Sequence, residues 1–466
     1  MRILCAARVR WSAAFAAGVV AAATLVARQQ TPVLPPASQQ PSEVSTTITG
    51  DQPGAAPRLA VPEFIALSND NETVEATKTI GRVLWDDLNF EREFALIPRD
   101  VVTTVPPATS MTTVPFDRWR ELNADGVVVG TVQKTASGVH VEVRLFNVRT
   151  RQSAFGMTYN GGVANARAYA HRASDDIHRQ QRGLQGVAQT KLTFNSDRSG
   201  ERMSGSIEAR GVKDIMISDY DGEGVKQVTT GRSLNISSVW SPDARSIAYT
   251  RWQNNAQANI FVANIYEGTG GWLTDLKSQN MLPAWSPDGT QIAFTSWRDG
   301  NAEIYVMNRD GSNLRRLTNN RADDITPTWS PNGTRIAFTS DRTGNEQIWE
   351  MGSDGLGQRQ LTHETKADRA TWSLAPFNEI AFAAQTGPGY DIKVLDVTTG
   401  TVRQLTFGEG SNESPAFAPN GRHIAFTSTR AGKEQIFTID RDGKNVRQVT
   451  KGGNNRMANW SQGPRN

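Results

Sequence analysis

The sequence predicts an α/β N-terminal domain followed by an all-β six-bladed β-propeller. Three observations carry this. An aromatic marker recurs at Trp240, Trp285, Trp329, Trp372, Phe417 and Trp460, with separations of 45, 44, 43, 45 and 43 residues. Each repeat holds four short strand signals divided by turn residues, and four strands of that length cannot bury both faces without packing against another unit. Upstream, between Arg58 and Leu184, strand and helix periodicities alternate instead of repeating.

In the upstream part, Arg58 to Leu67 (RLAVPEFIAL) reads as a buried strand, and Thr73 to Asn89 sets Val74, Ile80, Leu84 and Leu88 on roughly one helical face. A strand at Phe94–Pro98 and a short helix at Phe116–Leu122 follow. Strands at Gly126–Thr135, Val139–Asn147 and Gln152–Tyr159 then precede a helix at Ala164–Arg182. In Val139–Asn147 the valines alternate with His140, Glu142 and Arg144, the period of a sheet with one wet face.

From about Lys191 the clearest repeat is Pro283 to Thr318: a Trp strand, an Ile-Ala-Phe-Thr strand, a Glu-Ile-Tyr-Val strand and an Arg-Arg-Leu-Thr strand. Ser-Pro-Asp-Gly suits the first turn, since Pro fixes φ and Gly accepts a positive one. The motif is intact at Pro287–Gly289 and lost at Ser373–Pro376, where the hairpin is expected to be least regular. Glycines at 222, 268, 311, 355, 400 and 443 mark the third turn. Counting second strands gives six blades. The first unit lacks its own Trp strand, and Asn459-Trp460-Ser461 at the C-terminus has no unit after it, so the last segment should complete the first blade.

The leader and linker are read from composition. Residues 1–27 have the layout of a secretory signal: arginines to Arg10, then an apolar run from Trp11 to Val26, with cleavage either after Ala23, where Ala21 and Ala23 give A-x-A, or after Ala27, with Leu25 less suitably at −3. The run, about 16 residues, is shorter than the roughly 20 that span a bilayer. Residues 28–57, rich in Pro, Gln, Ser and Thr, read as a disordered linker. The expected division is therefore 1–27 signal, 28–57 linker, 58–184 α/β domain and 185–466 propeller.

Charge and cysteine exclude several functions. The chain has 50 Lys+Arg against 47 Asp+Glu, and removing the four arginines of residues 1–28 leaves 46 against 47, so a polyanion-binding surface has no support. The single cysteine, Cys5, departs with the leader, which excludes thiolate and redox chemistry in the mature chain. The histidines His140, His171, His178, His363 and His423 are scattered without a ligand pattern, so neither a metal nor a cofactor is expected. Aspartates such as Asp243, Asp288, Asp341 and Asp442 fall at turns, where they bond their own backbone. There is no G-x-S-x-G and no hydrolase domain after the propeller, so a peptidase is not expected. Chemistry on an envelope carbohydrate, with groups converging on the channel, is the alternative. A scaffold should instead show a channel lined by small polar groups.

The repeat, with its WSPDG and IAFTSDR-like segments, resembles the periplasmic TolB family. The resemblance extends upstream through Ala124-Asp125-Gly126-Val127-Val128-Val129-Gly130, Ala170-His171-Arg172-Ala173-Ser174-Asp175-Asp176-Ile177 and Gly183-Leu184-Gln185-Gly186. It implies a non-enzymatic, monomeric periplasmic component of the Tol-Pal system, supporting outer-membrane integrity and constriction at cell division. The implied partners are the peptidoglycan-associated lipoprotein, at the propeller, and a TolA-like inner-membrane protein, at the N-terminal part. The chain would meet membranes only through them. By motif alignment the lipoprotein-facing loops precede the Trp strands: Gln279, Asn280 and Leu282; Asp324, Ile325 and Thr326; and Asn412 with Glu413. Two departures from the family pattern are the long linker and the loop Ser278-Gln279-Asn280-Met281, which lacks an expected His.

Overall fold

A computed structural model describes residues 47–50, 54–201, 211–253, 257–374 and 376–463. The expected signal, 1–27, and most of the expected linker lie outside the described residues. The linker expectation is corrected at one described point. Ile48 is 1% exposed in the N-terminal core, and its N–H donates to Gln181 Oε1 at 2.9 Å, so this short piece is packed. A lone apolar residue in a polar stretch carries no periodicity that would have announced its partner.

The N-terminal elements are β1 (Arg58–Ala60), β2 (Ile65–Ala66), α1 (Asn71–Glu91), β3 (Ala95–Leu96), α2 (Arg99–Val102), α3 (Phe116–Glu121), β4 (Gly126–Thr135), β5 (Gly138–Asn147), β6 (Ser153–Gly161) and α4 (Ala166–Arg182). The single strand expected over Arg58–Leu67 is two short strands. Pro62 between them has no N–H to give a ladder. The sheet runs β3–β1–β4–β5–β6; β1 is parallel to both its neighbours, and β4, β5 and β6 form an antiparallel meander.

Alternation along β4 and β5 separates two apolar faces. Val128, Val141, Val143 and Leu145 pack with Ile80, Leu84 and Leu88 of α1 and Ala170 and Ile177 of α4, while Val127 and Val129 meet Trp119 of α3. The Asp70 carboxylate caps α1, accepting from Thr73 N at 3.1 Å, and Gly183 ends α4 at φ 65°. Gly130 is required by close approach, since a Cβ there would lie 2.0 Å from the Phe64 ring.

Six four-stranded antiparallel sheets follow. Five run from inner to outer strand in chain order, starting at Asn235–Trp240, Asn280–Trp285, Asp324–Trp329, Ala367–Trp372 and Asn412–Phe417. The sixth sheet is headed by Asn455–Trp460, which pairs with Lys191–Ser196, so the chain's end joins the start of the propeller and closes the ring. Lys191 N donates to Ser461 Oγ at 2.8 Å beside that seam. Phe194, Phe294, Phe338, Phe382 and Phe426, all fully buried, fill the second strands, and the Trp markers are 5–8% exposed.

Turn chemistry explains the hairpins. Ser286 donates to Asp288 Oδ1 at 2.6 Å, Asp288 accepts from Thr290 N, and Gln291 N closes the turn on Ser286 Oγ. Asn332 serves in Asp's place one blade on. At the eroded copy the closing bond runs from Ser373 N to Glu379 O, one residue further than the Ser286 N to Gln291 O bond, so this hairpin carries an extra residue.

Candidate functional site

The six inner strands line a central channel with a cavity volume of about 440 Å³. Each inner strand has a register shift after its second residue, a β-bulge, and the next residue adopts a left-handed conformation: Ser237, Leu282, Thr326, Arg369, Ser414 and Met457, with φ of 52–59°. Such values are costly for side chains larger than Gly, by about 1–3 kcal/mol each, and persist only where the surroundings enforce them.

Here the neighbouring blade does so. The N–H groups of Leu282, Thr326 and Met457 donate to the hydroxyls of Thr250, Thr295 and Thr427, at 3.1, 3.2 and 3.0 Å. In these blades the Thr that closes the Ile-Ala-Phe-Thr or Ile-Ala-Tyr-Thr run therefore positions the following blade's channel residue, whereas the blade before Ser414 carries Ala383 at that position. All six bulge residues line the channel, and the rest of its lining is mainly Ser, Thr, Pro, Ala and the Trp markers. No acid/base constellation is found among these lining residues.

The bulge divides the expected contact residues. Leu282 and Thr326 line the channel, Ile325 is half-buried beside it, and Gln279 and Glu413 are exposed. Asn280, Asp324 and Asn412, also expected as contacts, are instead fully buried. They are the first residues of their strands, ahead of the bulge, and point between blades. Asn280 donates to Asn259 Oδ1 at 2.7 Å and accepts from Arg298; Asp324 accepts from Arg342 at 2.7 Å; Asn412 donates to Asp391 Oδ1 and accepts from Arg430. Asn280 and Asn412 bond across to the preceding blade, Asp324 accepts from Asn320 on the connection from the preceding blade at 2.7 Å, and all three are buried away from a partner.

A second polar cluster, invisible as a motif, lies where the N-terminal domain meets the turn ends of two adjacent blades. Asp87 and Glu91 are one turn apart on α1. His171 bridges Asp87 (Nδ1 to Oδ2, 2.8 Å) to Asp219 (3.8 Å), and His423 bridges Glu91 (3.7 Å) to Asp440 (3.1 Å). Asp219 and Asp440 end the third strand in their respective blades, so the internal repeat supplies two matching carboxylates. Phe90 lies between them, its ring centroid 4.8 Å from Tyr220 and 4.3 Å from His423. Glu91 also accepts from Val187 N at 2.6 Å, from Asn420 Nδ2 and from the Arg422 guanidinium.

Burial opposes charge on His171, but the carboxylates of Asp87 and Asp219 outweigh it and push its pKa up to about 10. Burial likewise opposes ionisation of Glu91, yet contact with His423 and the charges of His178 and Arg422 hold it well below the usual carboxylate range. Burial, reinforced by Glu91, pushes Asp175 up to about 7 despite its bonds from Ala188 N and Gln189 N. The sequence held one clue, His171 and His178 seven residues apart on a helix; their carboxylate partners are distant in sequence.

Residues 182–464 match the family described as TolB beta propeller domain, and residues 46–154 match the TolB amino-terminal domain. The chain belongs to the TolB family. A protein named "Tol-Pal system protein TolB" from Ruthia magnifica is 31% identical over 424 residues, 90% of this chain and 95% of that one. One with the same name from Desulfosudis oleivorans is 31% identical over 261 residues, 56% of this chain and 57% of the relative. The chain spans about half the length of the first four curated relatives it matches. The crystal structure of TolB from Acinetobacter baumannii superimposes with a TM-score of 0.73 at 26% identity, covering 87% of this chain and 97% of that one. No helix among the described residues is long and apolar enough to cross a membrane.

Proposed function

We propose that this TolB-family chain is a non-enzymatic periplasmic scaffold of the Tol-Pal system. Its propeller would bind the peptidoglycan-associated lipoprotein, supporting outer-membrane integrity and constriction at division. The observation that carries the reading is the ring of six equivalent bulge residues. The strained backbone fixes a preorganised mouth on the channel, and a rigid surface binds a segment of another protein at low ordering cost. The names of the relatives support the Tol-Pal assignment. A TolA-like partner at the N-terminal part, a monomeric state and the boundaries 1–27, 28–57, 58–184 and 185–466 belong to the same reading.

The contact set is narrowed to Gln279, Leu282, Ile325, Thr326 and Glu413, the expected residues that remain accessible. Calorimetric titration of the full chain with the peptidoglycan-associated lipoprotein tests this. Saturable binding that Leu282→Arg and Ile325→Arg each weaken supports the reading. A folded parent that does not bind overturns it and directs the next titrations to envelope polysaccharides.

A further inference from the structure

We propose that Arg369 is the specificity-determining residue of the channel, pairing with a single carboxylate that the protein partner brings to the mouth. The inference rests on the docking reading above.

Arg369 alone carries charge among the residues lining the channel; the five equivalent bulge positions hold Ser237, Leu282, Thr326, Ser414 and Met457. Its charged neighbour, Asp368, stands outside the lining, so Arg369 is the charge that the lining itself presents. Its five donors favour a planar, bidentate anion. The arginines two residues after the second strand in four other blades are already committed. Arg198, Arg298, Arg342 and Arg430 each bond a serine hydroxyl and the first residue of an inner strand, namely Asn455, Asn280, Asp324 and Asn412. The Arg369 guanidinium has no hydrogen bond among the described residues, only an ion pair with Asp368 at 3.6 Å.

Asp368 does not satisfy it. One carboxylate oxygen of Asp368 accepts from Arg369 N at 2.7 Å and from Thr339 Oγ1 at 3.0 Å, which ties that side chain to the strand and leaves the guanidinium beside it facing the channel. A neighbouring carboxylate also limits what can enter. Arg369 and Asp368 together carry no net charge, so an entering dianion meets more repulsion from Asp368 than a monoanion does, which favours a carboxylate over a phosphate dianion. Thr326, one blade away, adds a neutral hydroxyl to the same ring.

The test is titration of the full chain with the peptidoglycan-associated lipoprotein at two salt concentrations, for wild type, Arg369→Gln and Arg369→Lys. A charge-assisted pair predicts that Arg369→Gln weakens binding about tenfold to a hundredfold. It should also flatten the salt dependence, with Arg369→Lys in between. Neutralising the lipoprotein's acidic groups one at a time, its C-terminal carboxylate included, should show one whose loss costs nothing further in Arg369→Gln. Wild-type binding that is insensitive to salt and equal in Arg369→Gln overturns the inference while leaving docking intact. If the folded wild type does not bind at all, the docking reading itself falls. The wild-type salt dependence needs no variant and so survives any folding defect.

Discussion

Replacing Glu91 by Ala tests the contact between the two folded parts. Glu91 is 3% exposed and accepts from Val187 N, Asn420 Nδ2 and Arg422, with His423 Nε2 3.7 Å away. Truncation leaves the part-buried Arg422 with Glu93 at 3.6 Å as its remaining carboxylate and the buried His423 with Asp440 alone, and it strips Val187 N of its acceptor; removing one partner of a buried pair costs about 3–5 kcal/mol. At roughly 2 °C per kcal/mol, the lower end for large domains, the melting temperature should fall by about 6–10 °C. Asp86→Ala on the same helix is the control. Its pair with Arg99 is surface-exposed, at 45% and 35%, and worth under about 1 kcal/mol. Differential scanning calorimetry of both variants, with hydrogen exchange at Val187 and on the Ser-Pro-Asp-Gly-side turns, gives the readout. The loss should appear as earlier exchange at Val187 and Arg422. If Glu91→Ala melts like Asp86→Ala, the two parts are not held by this network and the argument from burial is wrong.

Three further outcomes follow from the same structure. His171 has its pKa raised to about 10, so its stabilising charge is fully present below its ordinary value of 6.5 and is lost as pH rises through about 10. The melting temperature should therefore decline between pH 7 and 10, and a His171→Gln chain whose decline is as steep would remove His171 as the cause. Deleting residues 455–466 removes the inner strand of the closing sheet and Trp460, so cooperative unfolding of the propeller should be lost; a truncated chain melting within about a degree of the parent would refute ring closure as the source of stability. Gly222 has φ 90° and a Cβ there would lie 2.1 Å from Val449 O, so Gly222→Ala should destabilise by more than about 1 kcal/mol in urea unfolding, whereas an unchanged midpoint would show that the turn relaxes freely.

The architecture was legible because repetition writes it many times. A marker every 43–45 residues, a turn motif and an orphan Trp strand at the C-terminus fix the blade count and the closure before any contact is known. Each of these signals is local, spanning a strand and its turn, and local turn chemistry such as Ser286 with Asp288 does not depend on the rest of the chain. The same locality explains the limits. Asn280, Asp324 and Asn412 lie two residues before positions that line the channel, and only the bulge, held at Leu282 and Thr326 by hydroxyls of the preceding blade, decides that they turn between blades while Leu282 and Thr326 turn inward.

The carboxylate and histidine network lay further from reach. Asp87 meets His171 across 84 residues and Glu91 meets Arg422 across 331, so no window of sequence contains either pair. Ile48 joined the core in the same way, through Gln181, 133 residues on. Sequence by itself determined how many blades there are and where each turns, because those are properties of short segments repeated. Tertiary structure alone decided which side chains face the channel and which charges are buried together, because both depend on what the neighbouring blade or domain places against them.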